Sequence, residues 1–76
     1  MHTTSFEVKE KDPPSLKAAQ EAVGGYVEIV HIKEGQLLVN EEGLILGYPE
    51  NPNASKAAGQ PIYGNAILLK GSAKWD

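Results

Sequence analysis

The sequence predicts an α+β fold, with one short helix packed on a mainly antiparallel sheet of about five strands. Three observations favour this class. The length of 76 residues suits a single small domain. Residues 16–23 carry one stripe of apolar side chains at helical spacing. Between residues 24 and 69, short β-rich runs are separated by glycine turns. We therefore expect one domain over residues 1–76, ending in a tail at 70–76.

The first two predicted elements are an edge strand and the helix. Residues 5–10 alternate apolar and charged side chains, which is typical of a half-solvated strand at the edge of a sheet. Pro13-Pro14 ends this strand, because proline removes a hydrogen-bond donor. Ser15 is a suitable N-cap for the helix at residues 16–23, and Gly24-Gly25 supplies its C-terminal stop.

Three strands joined by tight turns are predicted next. Residues 26–32 are apolar on both faces, so we expect a central strand that is covered on both sides. The helix covers one face, and a second copy of the protein is the expected cover for the other. A hairpin turn at 33–36 leads into a strand at 36–40, and a turn at 41–43 leads into a strand at 44–48. The chain is thus expected to form a homodimer.

The rest of the chain is predicted to contain a long loop and a last strand. The loop covers residues 49–61 and holds one or two helical turns, capped by Asn53 and stopped by Gly59. The last strand covers residues 62–69. In the tail that follows, Trp75 is the only residue expected to hold the chain against the domain.

Composition excludes several classes of function. The chain has no cysteine, so disulfides and thiolate metal sites are excluded. Its two histidines, His2 and His31, are too few and too far apart for a histidine-rich metal site. The net charge is −3, and all seven basic residues are lysines scattered among acids. Because duplex nucleic acids are read mainly by arginine within basic patches, we expect no duplex DNA or RNA binding.

The chain is also expected to act away from membranes. No apolar run approaches the roughly 20 residues that span a bilayer. The first five residues lack the charged and apolar regions of a signal peptide. These features predict a cytoplasmic, soluble protein.

No arrangement of residues predicts catalysis. Glu41 and Glu42 are adjacent, and consecutive residues in a turn diverge, so we interpret them as part of a polar hairpin turn instead of an acid pair. His31 has no recognisable nucleophile beside it in the sequence and is interpreted as a packed or surface residue. The phosphate-binding glycine fingerprints and cofactor motifs do not occur. We therefore expect no cofactor, no metal and no enzymatic activity.

The segment from Tyr48 to Asn53 is the best candidate for a binding surface. Long loops in small domains are more often functional than idle. Tyrosine offers a flat apolar face, and asparagine offers both donors and acceptors. The alternative is that asparagine and proline only build a rigid connection here. The candidate ligand-binding residues are Tyr48, Asn51, Asn53, Lys56 and Asn40.

Three motifs resemble a small family of unknown function found in phages, plasmids and bacteria. The first is Gly24-Gly25-Tyr26-Val27-Glu28-Ile29-Val30, and the third is the glycine-centred strand from Ile62 to Leu68. The second runs from Asn40-Glu41-Glu42-Gly43 through Gly47, Pro49 and Asn51. The resemblance covers residues 16–69. Members often carry an arginine just after the loop asparagine, where this chain has Pro52.

The resemblance implies an accessory protein of a phage or other mobile element, with no activity to carry over. By analogy with small phage proteins, two functions compete. The favoured function is a protein-interaction module that binds a host or phage protein through its sheet edge or apolar face. The alternative is binding or sequestration of a small polar ligand, such as a nucleotide-like signal, around residues 48–53. The missing arginine weakens the alternative, because a phosphorylated ligand would depend on backbone amides and lysines such as Lys56.

Overall fold

The structure, a computed structural model, describes residues 4–75, so His2 lies outside the described residues. Within that range there are two α-helices and four strands, which confirms the predicted α+β class and corrects the expected number of five strands. In chain order the elements are β1 (Phe6–Lys9), α1 (Leu16–Val23), β2 (Val27–Ile32), β3 (Gly35–Asn40), α2 (Pro52–Ala58), β4 (Ala66–Leu69) and a 3-10 turn (Gly71–Ala73).

The four strands of the described region form one sheet in the order β1-β4-β3-β2. β3 pairs antiparallel with β2 and β4, whereas β1 pairs parallel with β4. The edge position predicted for β1 is confirmed. The central position predicted for residues 26–32 is wrong. The hairpin at 33–34 pairs β2 with one side of β3, and β4 occupies the other side of β3, so β2 is left at the second edge.

Helix α1 has the predicted ends. The Ser15 side chain accepts a hydrogen bond from the backbone N–H of Ala18 at 3.0 Å, as an N-cap does. Gly24 adopts the left-handed conformation (φ 82°) and ends the helix. Ala19 and Val23 are buried, whereas Leu16 at the first turn is exposed, so the apolar stripe is narrower than the sequence suggests.

Both faces of the sheet are covered within one chain. α1 lies on one face, with a buried cluster of Ala19, Leu38, Ile67, Leu69 and Ala73. α2 lies on the other, with a buried cluster of Leu37, Val39, Ala54, Ile62, Ala66 and Leu68. A second copy is therefore not needed to cover a sheet face, which was the reason given for expecting a dimer. Self-association itself stays a prediction.

The strand predicted at residues 44–48 is replaced by consecutive turns over residues 41–47. Backbone hydrogen bonds close these turns from Leu46 N–H to Glu42 C=O (2.9 Å) and from Tyr48 N–H to Gly43 C=O (3.0 Å). The apolar residues 44–46 cannot pair with β3, because β2 and β4 already occupy both of its sides. Its side chains are therefore left exposed.

Helix α2 confirms the helical turns predicted near Asn53, with a different start. The helix begins at Pro52, its N-cap is Asn51 instead of Asn53, and Gly59 ends it in the left-handed conformation as predicted. Proline is well suited to the first helical position, where its missing N–H is not needed. Pro52 thus has a structural role at the position where members of the resembling family often carry an arginine.

The last strand and the tail follow the prediction in part. β4 begins only at Ala66, and Tyr63 forms an isolated bridge with Glu50. Trp75 holds the tail, as predicted, but it is not alone, because Ala73 is also fully buried against the sheet. The indole N–H of Trp75 donates to the Pro14 carbonyl at 2.8 Å, and its backbone N–H and C=O both hydrogen-bond the side chain of Gln36 (2.6 and 2.7 Å).

Candidate functional site

Two of the five candidate binding residues, Asn40 and Tyr48, lie at one end of the sheet. At this end β3 finishes, β2 and β4 begin, and α1 reaches its C-terminus. The turns at 41–47 project from it. We call this region, residues 40–49 with the last turn of α1, the loop end.

Tyr48 is held at the loop end by two glycines. A Cβ atom on Gly64 would lie 2.7 Å from the Tyr48 ring, and one on Gly24 would lie 3.0 Å from its hydroxyl. Both glycines have positive φ, which other residues rarely adopt. The half-buried ring of Tyr48 therefore depends on glycine on either side of it.

A cavity of about 320 Å³ opens beside Tyr48. Its lining includes Glu21 from α1, Leu46 and Pro49 from the loop, and Asn65 before β4. Asn65 is engaged by the fold, since its amide donates to the Ala22 carbonyl at 3.0 Å. The cavity therefore has walls of mixed polar and apolar character, with one carboxylate and the C-terminal end of a helix, which carries partial negative charge.

Asn51 is buried, with 1% of its surface exposed, and its side chain holds three segments together. Its amide donates to the carbonyls of Ser5 and Gly64, at 2.9 Å each. Its side-chain oxygen accepts from the backbone N–H of Ala54 at 3.2 Å and so caps α2. These contacts join the start of β1, the start of α2 and the segment before β4.

Asn40 has a similar position at the end of β3. Its amide donates to the Val23 carbonyl at 3.0 Å, which helps to satisfy the C-terminus of α1. Its side-chain oxygen accepts from the N–H of Glu42 at 2.6 Å and starts the first turn of the loop. Asn40 also lines a second cavity of about 230 Å³, together with Glu28 and Leu44.

The five candidate residues do not converge on one pocket. Tyr48 lines the first cavity and Asn40 the second. Asn53 and Lys56 have exposed side chains on α2, which packs on the sheet face opposite α1. Asn51 is enclosed by the backbone groups that it binds. Their role in ligand binding stays a prediction, with Tyr48 the best placed of the five.

The most exposed apolar residues of the loop end were missed as a surface, because the sequence predicted a strand there. Leu44, Ile45 and Leu46 are 67%, 82% and 51% exposed. The available signal was the pair of glycines, Gly43 and Gly47, on either side of a short apolar run. Such flanking glycines favour turns over a paired strand.

Charge is distributed unevenly between the two ends of the sheet. Glu21 lines the first cavity beside Leu46, and Glu28 and Glu41 line the second beside Leu44. No lysine lines either cavity in the part of the chain that the structure describes. At the opposite end, which we call the lysine end, four lysines occur among acids in the strand ends, the hairpin turn and the tail: Lys9, Lys33, Lys70 and Lys74.

Residues 4–75 contain no helix with the length and apolar character that crossing a bilayer requires. Over the same residues, no three histidine or acidic side chains are grouped so that they could hold a metal ion. His31 lies exposed on β2.

Comparison with known proteins places the chain in a family without indicating an activity. Neither the curated proteins nor the solved structures contain a significant match. One family model matches residues 2–75, which is nearly the whole chain. The resemblance to a small family of unknown function is thereby confirmed. The chain belongs to the family described as Domain of unknown function (DUF3846).

Proposed function

We propose that this protein is a non-enzymatic interaction module that binds another protein through its loop end. The observation that carries the proposal is the exposure of three consecutive large apolar residues, Leu44, Ile45 and Leu46. Contiguous apolar patches on soluble proteins mark binding surfaces when they are large. Burying one such side chain fully contributes about 1.5–3 kcal/mol. Three together supply a substantial part of the free energy of a specific complex.

The charges around this apolar loop define the chemistry of the partner. Glu41 and Glu42 lie in the same turns, before the three apolar residues, while Glu21 and Glu28 line the cavities on the two sides of the turns. A complementary surface has an apolar cleft for the loop and lysine or arginine at its rim. Opposite charges at a rim increase the rate of association and select the partner more than they increase affinity.

The test compares Ile45→Asp with a matched control, Leu16→Asp. Both residues are exposed, so neither change is expected to alter stability by more than about 0.5 kcal/mol. Immobilised protein is incubated with extract of the bacterium that carries the gene, and captured proteins are quantified by mass spectrometry. We expect a partner that Leu16→Asp retains and Ile45→Asp loses at least tenfold, with weaker capture at high salt. Equal capture by both variants would contradict the proposal.

A second candidate function is binding of a small ligand in the cavity beside Tyr48. Its volume of about 320 Å³ falls in the range of ligand pockets, about 300–1,000 Å³. The carboxylate of Glu21 and the negative end of α1 favour a cationic group over a phosphate. This second function is therefore better supported for an amine-bearing ligand than for the nucleotide-like signal suggested by the sequence.

Native mass spectrometry of protein purified from its own bacterium separates the two functions. A co-purifying protein, with no added small mass, supports the interaction module. A retained small molecule that Tyr48→Ala loses and Asn53→Ala retains supports the second function instead. Asn53 is the matched control because its side chain is exposed on α2, away from the cavity.

The biological setting that we propose rests on the resemblance described above. Family members in phages and plasmids suggest an accessory protein that acts on a component of the bacterial cytoplasm. The proposal that the protein is not an enzyme rests on the sequence, which offers no nucleophile paired with a base. Turnover in a broad hydrolase screen that Glu41→Gln or Glu42→Gln abolishes would overturn it.

A further inference from the structure

We propose that two copies of this protein pair through the outer edge of β2, forming one continuous eight-stranded sheet about a two-fold axis. This inference rests on the backbone and sequence of β2, and the loop end enters it only through the carboxylates that it presents to the second copy. It replaces the earlier reason for expecting a dimer, which placed the second copy on a face of the sheet.

The outer edge of β2 presents backbone groups that β3 does not satisfy. In an antiparallel pair, alternate residues direct their N–H and C=O groups toward the neighbouring strand and away from it. The Tyr26 carbonyl accepts from the Glu41 N–H at 2.9 Å, so the backbone groups of Tyr26 point toward β3. The same holds for every second residue after it: Glu28, Val30 and Ile32. Three residues of β2 therefore direct their backbone groups outward: Val27, Ile29 and His31.

The two helices leave this edge open. The residues that the helices bury fully lie on β3 and β4, among them Leu37, Leu38 and Ile67. On β2, the half-buried side chains of Val27, Val30 and Ile32 only pack at the margins of the two clusters. At the centre of β2, Ile29 remains 37% exposed. An apolar edge strand with unpaired backbone groups is a template for pairing with another strand.

The opposite edge of the sheet is protected against such pairing. In β1, charged residues alternate with apolar ones, and Lys9 lies 3.5 Å from Glu7 in an ion pair. Charged side chains on a short edge strand are a common device against edge-to-edge association. Because β2 carries a single carboxylate, Glu28, and no lysine, pairing is expected at β2 and not at β1.

One register fits the outward-facing residues best. With Ile29 opposite Ile29 of the second copy, all residues from 26 to 32 are paired. Val27 then lies opposite His31, and the exposed ring of Tyr26 lies opposite Ile32, an aromatic and β-branched pair that stabilises sheets. If the two-fold axis moves one residue toward the start of β2, the outward-facing residues still pair with each other. Glu28 then lies opposite Glu28 of the second copy, where like charges repel.

Charge also favours this antiparallel arrangement. It brings the loop end of each copy beside the lysine end of the other. In the stated register Lys33, in the hairpin turn, is opposite Gly25 of the second copy, close to the carboxylates that surround the loop end. Its neighbour Glu34 is opposite Gly24 and offsets part of this attraction. Attraction between the two ends acts twice in the dimer because of the two-fold symmetry.

Analytical ultracentrifugation across the micromolar range tests the assembly. We expect the wild type to reach twice the 8.2 kDa mass of the chain. Ile29→Pro removes an outward N–H and introduces proline where an edge strand tolerates it, so the variant is expected to be monomeric. Val8→Pro is the matched control, because Val8 faces outward at the edge formed by β1 and is expected to leave the dimer intact.

Two charged substitutions at residue 29 test the same interface if Ile29→Pro fails to fold. Ile29→Lys and Ile29→Glu are each expected to be monomeric, because like charges face each other across the axis. An equal mixture of the two is expected to restore the double mass. A wild type that stays at 8.2 kDa, or a mixture that stays monomeric, would overturn the proposal.

Cysteine cross-linking tests the register, since the chain has no cysteine of its own. Residues directly opposite each other at a hydrogen-bonded position have Cα atoms about 5.5 Å apart, within disulfide range. Ile29→Cys is therefore expected to form a covalent dimer on mild oxidation. Two Glu28→Cys residues would be offset diagonally, roughly 7–8 Å apart, and are expected to cross-link much less. Preferential cross-linking at residue 28 would reject this register.

Discussion

Replacing Asn51 by alanine tests whether this loop asparagine holds the fold together. The sequence offered Asn51 and Asn53 as equivalent candidates for ligand binding. In the structure Asn51 is buried and binds Ser5, Gly64 and Ala54, whereas Asn53 is exposed on α2. We therefore expect Asn51→Ala to lower the free energy of unfolding strongly and Asn53→Ala to leave it nearly unchanged.

The expected loss follows from the contacts of Asn51. Removing an asparagine N-cap costs about 1 kcal/mol. The two bonds from its amide to backbone carbonyls contribute about 1 kcal/mol each, and both carbonyls lose this partner. The sum is about 3 kcal/mol. For a domain of this size, a total stability of about 4–11 kcal/mol is typical, so the variant loses a large share of it.

Urea unfolding followed by far-UV circular dichroism measures this difference for the wild type and both variants. A loss of about 3 kcal/mol in Asn51→Ala also corresponds to a fall in melting temperature of more than about 10 °C. For Asn53→Ala we expect a change within about 0.5 kcal/mol. A loss of less than about 1 kcal/mol in Asn51→Ala would show that the three hydrogen bonds do not contribute about 1 kcal/mol each.

Two further substitutions test other contacts. Gly64→Ala is expected to lower the free energy of unfolding by at least about 1 kcal/mol more than Gly47→Ala does. Both glycines have positive φ, but only at Gly64 would the added Cβ clash with the Tyr48 ring. Equal melting temperatures for the two variants would contradict the close contact between Gly64 and the Tyr48 ring. Trp75→Phe is expected to cost about 1 kcal/mol, because phenylalanine cannot donate to the Pro14 carbonyl. An unchanged unfolding midpoint in urea would show that this bond does not hold the tail.

The elements that the sequence predicted well are those set by neighbouring residues. Ser15 and Gly24 define the ends of α1 through contacts within a few residues. The hairpin between β2 and β3 follows from a two-residue turn between two apolar runs. The alternation in β1 identified an edge strand because its charged side chains need solvent.

The errors concern features decided by residues far apart in the chain. Residues 44–46 have the composition of a strand, but β4, from much later in the chain, takes the neighbouring position on β3. The same pairing pushes β2 to the edge. Neither the order of strands nor the cover that α2 gives to the second sheet face can be derived from local periodicity.

The candidate site was predicted from local composition alone, and its role in ligand binding stays a prediction. The sequence placed Tyr48 at the end of a strand, just before the long loop, whereas the structure places it after the turns at 41–47 and beside a cavity. The choice between Asn51 and Asn53 had a local signal that was overlooked. Proline is favoured as the first residue of a helix, so Pro52 identifies the asparagine before it as the N-cap. An asparagine with that role is engaged by the fold before any ligand arrives.

The residues that hold the fold together differ from the residues proposed to bind other molecules. Effects on binding can therefore be distinguished from effects on the free energy of unfolding. Asn40 and Asn51 join segments that are distant in sequence, so substituting either changes stability and binding together. Ile45 extends into solvent, and Ile29 lies at a sheet edge where the aliphatic part of a lysine side chain can take its place. Loss of binding in Ile45→Asp with an unchanged free energy of unfolding therefore identifies a lost contact with another molecule. For Ile29→Lys the reference is the wild type diluted until it is monomeric, because dimerisation itself stabilises the folded chain. The same loss accompanied by unfolding would identify these side chains as part of the core instead.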